Sequence, residues 1–321
     1  MYEPKTLTEA IRYYSDEQTC IDVVAQLRWP DGKPVCPKCG AVEGERKHYW
    51  LNTQKRWKCF ACRKQFSVKV NSIFEDSALK LSDWLTGLWM LVNCKNGVSS
   101  YELSRATGMA QKSAWFVLQR LRYILKAVDQ RPMGSPGVVE VDEYYHGPNP
   151  KTMHADRRLK LKVGLNGYMA KTTVMGLLDR KTREVRAMVI PEATRVVLQG
   201  EILKHCGFAT KVYTDGWAGY DNLDAKRFIH KIVDHSKEYV AKGGVSTQGI
   251  ENFWSCLART LTGTYIAVEP YHLDLYLNEQ CYRYTNRKGM NDGARFRKAL
   301  SMIGDRRLTW NRLTGKEEPS A

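Results

Sequence analysis

Residues 138–142 are Val-Val-Glu-Val-Asp, a short β-branched run that ends on a carboxylate. Such a run predicts a strand that is buried against a core. Four further strand-like runs and three helical segments follow along the chain: strands at 172–179, 185–190, 210–214 and 228–233, and helices at 194–205, 248–261 and 272–283. The order β-β-β-α-β-β-α-α is typical of an α/β domain with a mixed sheet.

Three acids stand at special places in this predicted domain. Asp142 ends the first strand, Asp215 follows the strand at 210–214, and Glu251 lies on the helix at 248–261. Acids at strand ends are placed for chemistry more often than for packing. Each acid taken alone has an ordinary alternative role as a helix cap, a turn residue or a salt-bridge partner.

Carboxylates that lie together repel and raise each other's pKa unless divalent cations sit between them. Oxygen ligands of this kind favour Mg²⁺ or Mn²⁺. Two such ions, about 3.5–4 Å apart, activate a water or a 3′-hydroxyl and stabilise the leaving oxygen of a phosphoryl displacement. We therefore expect two Mg²⁺ (or Mn²⁺) ions at this site.

Two Cys-x-x-Cys pairs precede the α/β region. The pairs are Cys36 with Cys39 and Cys59 with Cys62, and nineteen residues separate them. This spacing predicts a zinc ribbon with one structural Zn²⁺ on four thiolates. Two unrelated redox pairs are the alternative, although one pair would suffice for redox chemistry. The chain has nine cysteines, and this odd number argues against a secreted disulfide framework and fits a reducing cytoplasm.

The chain divides by composition into five predicted segments. A Pro/Gly-rich stretch at 131–137 marks the clearest boundary. The segments are a helical lead-in (1–33), the zinc ribbon (34–70), a helical region (71–132), the α/β catalytic domain (137–290) and a basic C-terminal tail (291–321) that we expect to fray.

The helical region contains a helix-turn-helix-like pattern. A short helix ends near 106, a turn contains Gly108, and a second helix runs over 110–125. In this interpretation Gln111, Lys112 and Ser113 face the major groove of DNA. Any pair of helices can produce this pattern by chance, so ordinary helical packing is the alternative.

Positive charge is the second indication of a nucleic-acid partner. The chain has 50 Lys and Arg against 34 Asp and Glu, a net charge of +16. Residues 36–70 hold nine basic residues against two acids, among which we expect Lys55 and Arg56 to contact phosphates. A solvated basic face or a protein-binding ribbon is the alternative.

Composition also excludes several classes of protein. Hydrophobic residues make up 43% of the chain, which excludes a disordered basic tail protein. The sequence has no apolar run of about eighteen residues, so we expect no membrane span. The first residues lack the pattern of a secretory signal. The expected location is the cytoplasm, in association with the nucleoid when DNA is bound.

Three motifs resemble one family. They are Val-Asp-Glu-Tyr at 141–144, Thr-Asp-Gly-Trp-Ala-Gly-Tyr at 214–220 and Gly-Ile-Glu-Asn-Phe-Trp-Ser at 249–255. Together they resemble the DDE transposases of bacterial insertion sequences, in particular the subgroup with an N-terminal zinc ribbon. The resemblance covers roughly residues 20–290.

This resemblance implies a ribonuclease H-like catalytic domain in which Asp142, Asp215 and Glu251 form the metal-binding catalytic triad. It implies cleavage at the ends of an element and transfer of the 3′-hydroxyl into target DNA. The implied partner is double-stranded DNA, both terminal inverted repeats and target, bound by a homodimer or a larger assembly.

The chain departs from the family pattern at two positions. Ser246 stands where similar proteins carry His, and Ala258 stands where they often carry Lys. Arg259 follows Ala258, and we expect it to contact a phosphate instead. Asn252, next to Glu251, is the alternative third ligand. A decayed DNA-binding protein and a ribonuclease H-like nuclease without strand transfer are the alternative functions.

Overall fold

The computed structural model describes residues 2–44, 46–126, 131–147, 154–160, 171–233, 244–304 and 306–316. The chain forms two compact units, one of residues 1–126 and 286–321, the other of residues 127–285. Among the helices described, none is long and apolar enough to span a membrane.

The secondary structure comprises the following elements in chain order. The helices are α1 (Leu7–Tyr13), α2 (Glu17–Arg28), α3 (Leu81–Asn93), α4 (Ser100–Thr107), α5 (Gln111–Ile124), α6 (Ala155–Lys160), α7 (Arg195–His205), α8 (Gln248–Thr260), α9 (Leu273–Thr285), α10 (Asp292–Leu300) and α11 (Trp310–Leu313). The strands are β1 (Tyr49–Leu51), β2 (Arg56–Lys58), β3 (Gln65–Phe66), β4 (Val138–His146), β5 (Thr172–Asp179), β6 (Val185–Ile190), β7 (Thr210–Thr214) and β8 (Phe228–Ile232).

The second unit is built on a five-stranded mixed sheet with the order β6-β5-β4-β7-β8. Strand β5 pairs antiparallel with both β4 and β6, whereas β7 runs parallel to β4 and to β8. Strand β4 is therefore central, with an antiparallel neighbour on one side and a parallel neighbour on the other. The predicted fold class, a zinc ribbon followed by a mixed α/β sheet with helices, is confirmed.

Helices cover both faces of this sheet, which explains the nearly continuous apolar runs in its strands. On one face Val139 and Val141 of β4 pack in a core with Leu198 and Ile202 of α7. On the other face Val174 and Leu178 of β5 share a second core with residues of α8 and α9. Because side chains alternate along a strand, Glu140 and Asp142 point away from α7, toward the α8 face.

The close approach of α8 to β5 depends on a glycine. A Cβ built at Gly176 would lie 2.5 Å from Cζ2 of Trp254 and 2.9 Å from Cδ1 of Ile250. Gly176 pairs with Asp142 across the β4–β5 ladder. The missing side chain therefore lets the Trp254 indole lie against the sheet beside Asp142.

The first unit contains the zinc ribbon. Strands β1, β2 and β3 form an antiparallel sheet. Trp29, just after α2, packs edge-on against Trp57 and Phe66, with ring centroids 5.3 and 6.2 Å apart. Arg28 Nη1 donates to the carbonyl of Val68 at 2.8 Å. The lead-in helix and the ribbon therefore share one small core.

Helices α4 and α5 occupy the predicted helix-turn-helix positions. Ser99 caps α4 in a capping box with Glu102, and Gly108 ends the helix with a φ of 77°. The apolar side of α5 is buried as expected. Its buried residues include Val117, Leu118, Leu121 and Ile124.

The C-terminal segment corrects the expectation of a fraying tail. Residues 292–300 form α10, whose Phe296 ring lies 5.1 Å from that of Trp89 in α3. Arg306 Nη1 donates to the carbonyls of Ile124 and Lys126 at the end of α5, at 2.8 and 3.0 Å. The segment is rich in basic residues, but the apolar residues spaced between them, among them Phe296 and Leu300, are buried. Residues 317–321 lie outside the described part of the chain.

Replacing Gly176 by Ala tests the fit of α8 on the sheet. The new methyl group would meet the Trp254 indole, so we expect Gly176→Ala to lower the free energy of unfolding by about 1–3 kcal/mol. Gly200→Ala in α7 is the matched control, since a Cβ there has no neighbour within 4 Å. The control should be neutral or stabilising by up to about 1 kcal/mol. Equal effects of both substitutions in urea denaturation would contradict this description.

Candidate active site and metal centre

Strand register brings Asp142 and Asp215 to neighbouring positions. In the parallel β4–β7 ladder the last pair is Glu140 with Tyr213. Asp142 lies two residues after Glu140, and Asp215 lies two residues after Tyr213. Because the two strands run in the same direction, these equal distances along the chain bring the two aspartates to adjacent positions. This position is the carboxyl end of β7, where loops leave the sheet. The prediction that Asp142 ends its own strand is wrong, because residues 143–146 also pair with β5 and β4 continues to His146.

Glu251 approaches the same region from α8. It lies in the first turn of the helix, and its Oε1 accepts a hydrogen bond from Thr247 Oγ1 at 2.7 Å. The buried residues Ile250, Phe253, Trp254 and Leu257 fix the helix on the sheet. Their spacing of three and four residues defines one apolar face, and Glu251 lies at the border of this face.

Trp254 contacts Asp142 directly. Its Nε1 donates to Asp142 Oδ2 at 3.0 Å, and the backbone N–H of Glu143 donates to Asp142 Oδ1 at 2.9 Å. The indole also stacks on Tyr144, with ring centroids 5.4 Å apart. Trp254 is therefore both a core residue and a hydrogen-bond donor to the proposed metal ligand.

The electrostatics of the site follow from this burial. Burial raises the pKa of Asp142 to about 7, the two N–H donors oppose the shift, and the negative charges of Asp215 and Glu251 add to it. Burial likewise raises the pKa of Glu143 to about 7, with further contributions from Asp142 and Asp215. The hydroxyl of Tyr220 donates to Glu143 and opposes that shift.

Four carboxylates thus influence each other at one end of the sheet. Ionised together they are unfavourable, and a divalent cation would relieve the repulsion. Carboxylate oxygens are the ligands that Mg²⁺ and Mn²⁺ prefer, so the residues present fit the predicted ions. The acids are nevertheless more loosely grouped than the cysteines described below.

Glu251 and Asn252, the two alternatives for the third ligand, have different neighbours in the structure. The charge of Glu251 acts on Asp142. Asn252 is exposed on α8, and its Oδ1 accepts a hydrogen bond from the Tyr284 hydroxyl at 3.2 Å. Asn252 is therefore in contact with α9.

The four cysteines of the ribbon converge on one point. Their sulfur atoms all lie within 4.8 Å of one another, the tightest such group among the described residues. Cys36 Sγ and Cys62 Sγ are 3.8 Å apart, and Cys39 Sγ and Cys59 Sγ are 3.7 Å apart. A tetrahedral ion with Zn–S bonds of about 2.3 Å requires sulfur separations of about 3.8 Å. The centre fits zinc.

The two halves of the cysteine centre are built in the same way. Gly40 N donates to the carbonyl of Cys36 at 2.8 Å, and Arg63 N donates to that of Cys59 at 3.1 Å. Gly40 and Arg63 both have a positive φ, 73° and 62°. The Cys-x-x-Cys pairs therefore form two equivalent knuckles.

The predicted DNA-contact residues of α5 already have partners in the chain. Gln111 Nε2 donates to Ser100 Oγ at 2.8 Å, and Lys112 Nζ lies 5.1 Å from the ring centroid of Trp310. Ser113 is half-buried, whereas Lys112 is exposed.

The other predicted contact residues differ in exposure. Lys55 Nζ donates to Gln18 Oε1 of α2 at 2.9 Å and is half-buried. Arg56 and Arg259 are exposed, on β2 and in the last turn of α8. These two arginines are the more accessible to a phosphate.

Loss of one cysteine ligand tests the metal centre. We expect about one Zn²⁺ per chain in the purified protein, and we expect Cys39→Ala to lose the ion and to unfold the ribbon, because such modules depend on the metal for folding. Cys94→Ala is the control, since Cys94 stands outside the cluster. Metal analysis together with limited proteolysis of residues 34–70 measures both effects. Full zinc content in Cys39→Ala would contradict the assignment.

The raised carboxyl pKa values predict how stability depends on pH. Between about pH 4 and pH 7 the unfolded chain releases protons that folded Asp142 and Glu143 retain, so their contribution to stability falls as pH rises. Asp142→Asn should therefore raise the melting temperature of the metal-free protein at pH 7.5. The expected rise is about 2–4 °C for each kcal/mol by which the substitution increases the free energy of unfolding.

The exposed Asp221 supplies the control for this prediction. Asp221→Asn should leave the melting temperature and its pH profile unchanged. A melting temperature for Asp142→Asn that falls at pH 7.5, or that rises equally at pH 5, would contradict the charge argument.

Comparison with known proteins identifies related chains. Residues 135–285 match the ISXO2-like transposase domain, and residues 15–65 match the transposase zinc-ribbon domain. A protein in transposable element ISH50 of Halobacterium salinarum is 27% identical over 258 residues, 78% of this chain and 85% of that protein. A transposase-like protein of Haemophilus influenzae is 31% identical over 103 residues, 32% of this chain and 82% of that protein.

The matched ranges contain both centres described above. The four cysteines fall inside 15–65, and the three acids fall inside 135–285. The chain therefore belongs to the family of insertion-sequence transposases that combine an N-terminal transposase zinc ribbon with an ISXO2-like transposase domain.

Proposed function

We propose that the protein is a DNA transposase that binds the ends of its element, cleaves a strand there and joins the 3′-hydroxyl to target DNA. The register of β4 and β7 carries the proposal, because Asp142 and Asp215 each follow its last pair, Glu140 with Tyr213, by two residues. Family membership supports phosphoryl transfer on nucleic acid as the type of reaction.

Asp142, Asp215 and Glu251 are the proposed catalytic residues. They would hold two Mg²⁺ or Mn²⁺ ions, which activate the attacking oxygen and stabilise the leaving oxygen when bound. Trp254 and the Glu143 N–H orient the Asp142 carboxylate, and Thr247 orients that of Glu251. A carboxylate offers about four lone-pair positions, so Asp142 keeps acceptor capacity beyond these two bonds.

The first unit is the proposed DNA-binding part. Arg56 of the ribbon is exposed on a basic module, and α4 with α5 forms a helix pair that can enter a groove. Gln111, Lys112 and Ser113 at the start of α5 are the proposed groove contacts, Lys55 joins Arg56 at the ribbon, and Arg259 is the proposed phosphate contact in the second unit. Because two ends must be processed, we propose a homodimer or a larger assembly on DNA.

A strand-cleavage and joining assay tests the function. Purified protein is incubated with Mg²⁺, a duplex that carries the element end with its flanking DNA, and a plasmid target. We expect nicking and joining, and we expect Asp215→Asn to reduce both by on the order of 10³-fold, since it removes a charged ligand whose loss costs several kcal/mol in the transition state. Asp221→Asn should retain full activity.

The same assay separates the alternatives. Nicking without joining would identify a nuclease, and salt-sensitive binding without any cleavage would identify a DNA-binding protein that has lost its chemistry. Asp215→Asn should still bind the end with unchanged affinity. Intact strand transfer in that variant would show that the proposed metal site is wrong.

A further inference from the structure

The guanidinium of Arg180 connects the central sheet to the chain segment that precedes α8. Its Nε donates to Glu140 Oε1 at 2.5 Å. Its Nη1 donates to the carbonyl of Gly244 at 2.9 Å, and its Nη2 donates to the carbonyl and the hydroxyl of Ser246 at 2.8 and 2.7 Å. One side chain therefore holds β4 and residues 244–246 together.

Glu140 makes a second connection, to α8 itself. Its Oε2 accepts a hydrogen bond from the backbone N–H of Ile250 at 2.9 Å, in the first turn of the helix. Thr247, at the N-cap position, makes no capping bond with its side chain. The Glu140 carboxylate thus caps α8 from the neighbouring strand, where the positive end of the helix dipole favours a negative charge.

Close contact makes this cap rigid. A Cβ at Gly249 would lie 2.7 Å from Glu140 Oε2, so α8 meets the carboxylate at a position that has no side chain. The guanidinium of Arg180 also lies over the ring of Tyr213 in β7, 5.0 Å from its centroid. The pair is enclosed on several sides.

Stability alone is a weak reason for such a pair. The Glu140 side chain is only 3% exposed and that of Arg180 is 31% exposed. Desolvation of buried ion pairs offsets much of their attraction, and apolar replacements are often equally stable. A fixed geometry is the better-supported use of a pair of this kind.

That geometry bears directly on the acidic site. Glu140 and Asp142 lie on the same face of β4, about 7 Å apart along the strand. Ile250 and Glu251 are consecutive in α8. The bond between Glu140 and the Ile250 N–H therefore sets the distance between Asp142 on the strand and Glu251 on the helix.

We propose that Glu140 and Arg180 are positioning residues that hold α8 where Glu251 joins Asp142 and Asp215 in binding the metal ions. The proposal rests on the proposed function. It also gives Ser246 a role, since its hydroxyl and its carbonyl both accept hydrogen bonds from Nη2 of Arg180. An ammonium group in place of the guanidinium keeps the charge but cannot reproduce this planar set of bonds.

Arg180→Lys is the main test, with Mn²⁺ as the probe. In the full chain we expect the Mn²⁺ concentration for half-maximal cleavage to rise about 10-fold, in the range seen when residues that orient metal ligands are changed. Calorimetric Mn²⁺ affinity should fall by the same factor. Saturating Mn²⁺ should restore most of the rate, and the affinity for end DNA should stay unchanged.

Lys181→Ala is the matched control, because Lys181 is exposed in the same turn and only its backbone N–H bonds to Asp179. It should behave like the wild type in every measurement. Glu140→Gln is the second variant, in case Arg180→Lys does not fold. An amide oxygen can still accept the Ile250 N–H, so we expect a smaller shift in the same direction.

The outcomes separate this proposal from the proposed function. If the folded Arg180→Lys variant binds Mn²⁺ as tightly as the wild type, the positioning role is wrong and the proposed function stands. A rate loss that no Mn²⁺ concentration restores would also overturn the positioning role. If the wild type neither binds Mn²⁺ at these acids nor cleaves, the proposed function fails and the positioning role fails with it.

Discussion

Repulsion between Asp142 of β4 and the acids near it, beside the carboxyl end of β7, is the constraint on which the arrangement of the second unit depends. Burial, and to a smaller extent the acidic neighbours, disfavours the charged form of Asp142 and of Glu143 and raises the pKa of each to about 7. Among the described residues, the surrounding structure offers Asp142 hydrogen-bond donors in place of a basic side chain. It supplies N–H donors from Trp254 and Glu143 that orient the carboxylate. Without a bound cation, the repulsion between these carboxylates lowers the stability of the folded state.

Glu140, the acid nearest to Asp142 on the same face of β4, has a basic partner, Arg180. Glu140 lies two residues before Asp142 on β4. It forms an ion pair with Arg180 and caps α8. Asp142 instead accepts hydrogen bonds from Trp254 and from the backbone N–H of Glu143, and the charges of Asp215 and Glu251 act on it. Two acids on one face of one strand thus have different surroundings, and only one of these surroundings suits a metal ligand.

The local elements could be predicted because their signals lie within short stretches. The apolar run before Asp142, the two cysteine pairs and the apolar face of α8 each indicate structure without reference to distant residues. These features were enough for the fold class, and the motifs at 141–144, 214–220 and 249–255 were enough for the family.

The remaining features depend on contacts between residues far apart in sequence. Arg180 and Glu140 are 40 residues apart, and Trp254 and Asp142 are 112 apart. Gly176 indicates a close approach in a strand, yet nothing nearby identifies the indole that occupies the space. The C-terminal helices were missed for a different reason, because basic residues there outnumber the apolar residues that pack. Long-range partners of this kind become visible only in the folded chain.

Location of Mn²⁺ by anomalous X-ray diffraction from crystals of the full chain tests the central claim most directly. The account predicts two peaks about 3.5–4 Å apart, within about 2.3 Å of carboxylate oxygens of Asp142, Asp215 and Glu251. Peaks at other acids, with the carboxylates of Asp142 and Asp215 left without an ion at saturating Mn²⁺, would contradict it.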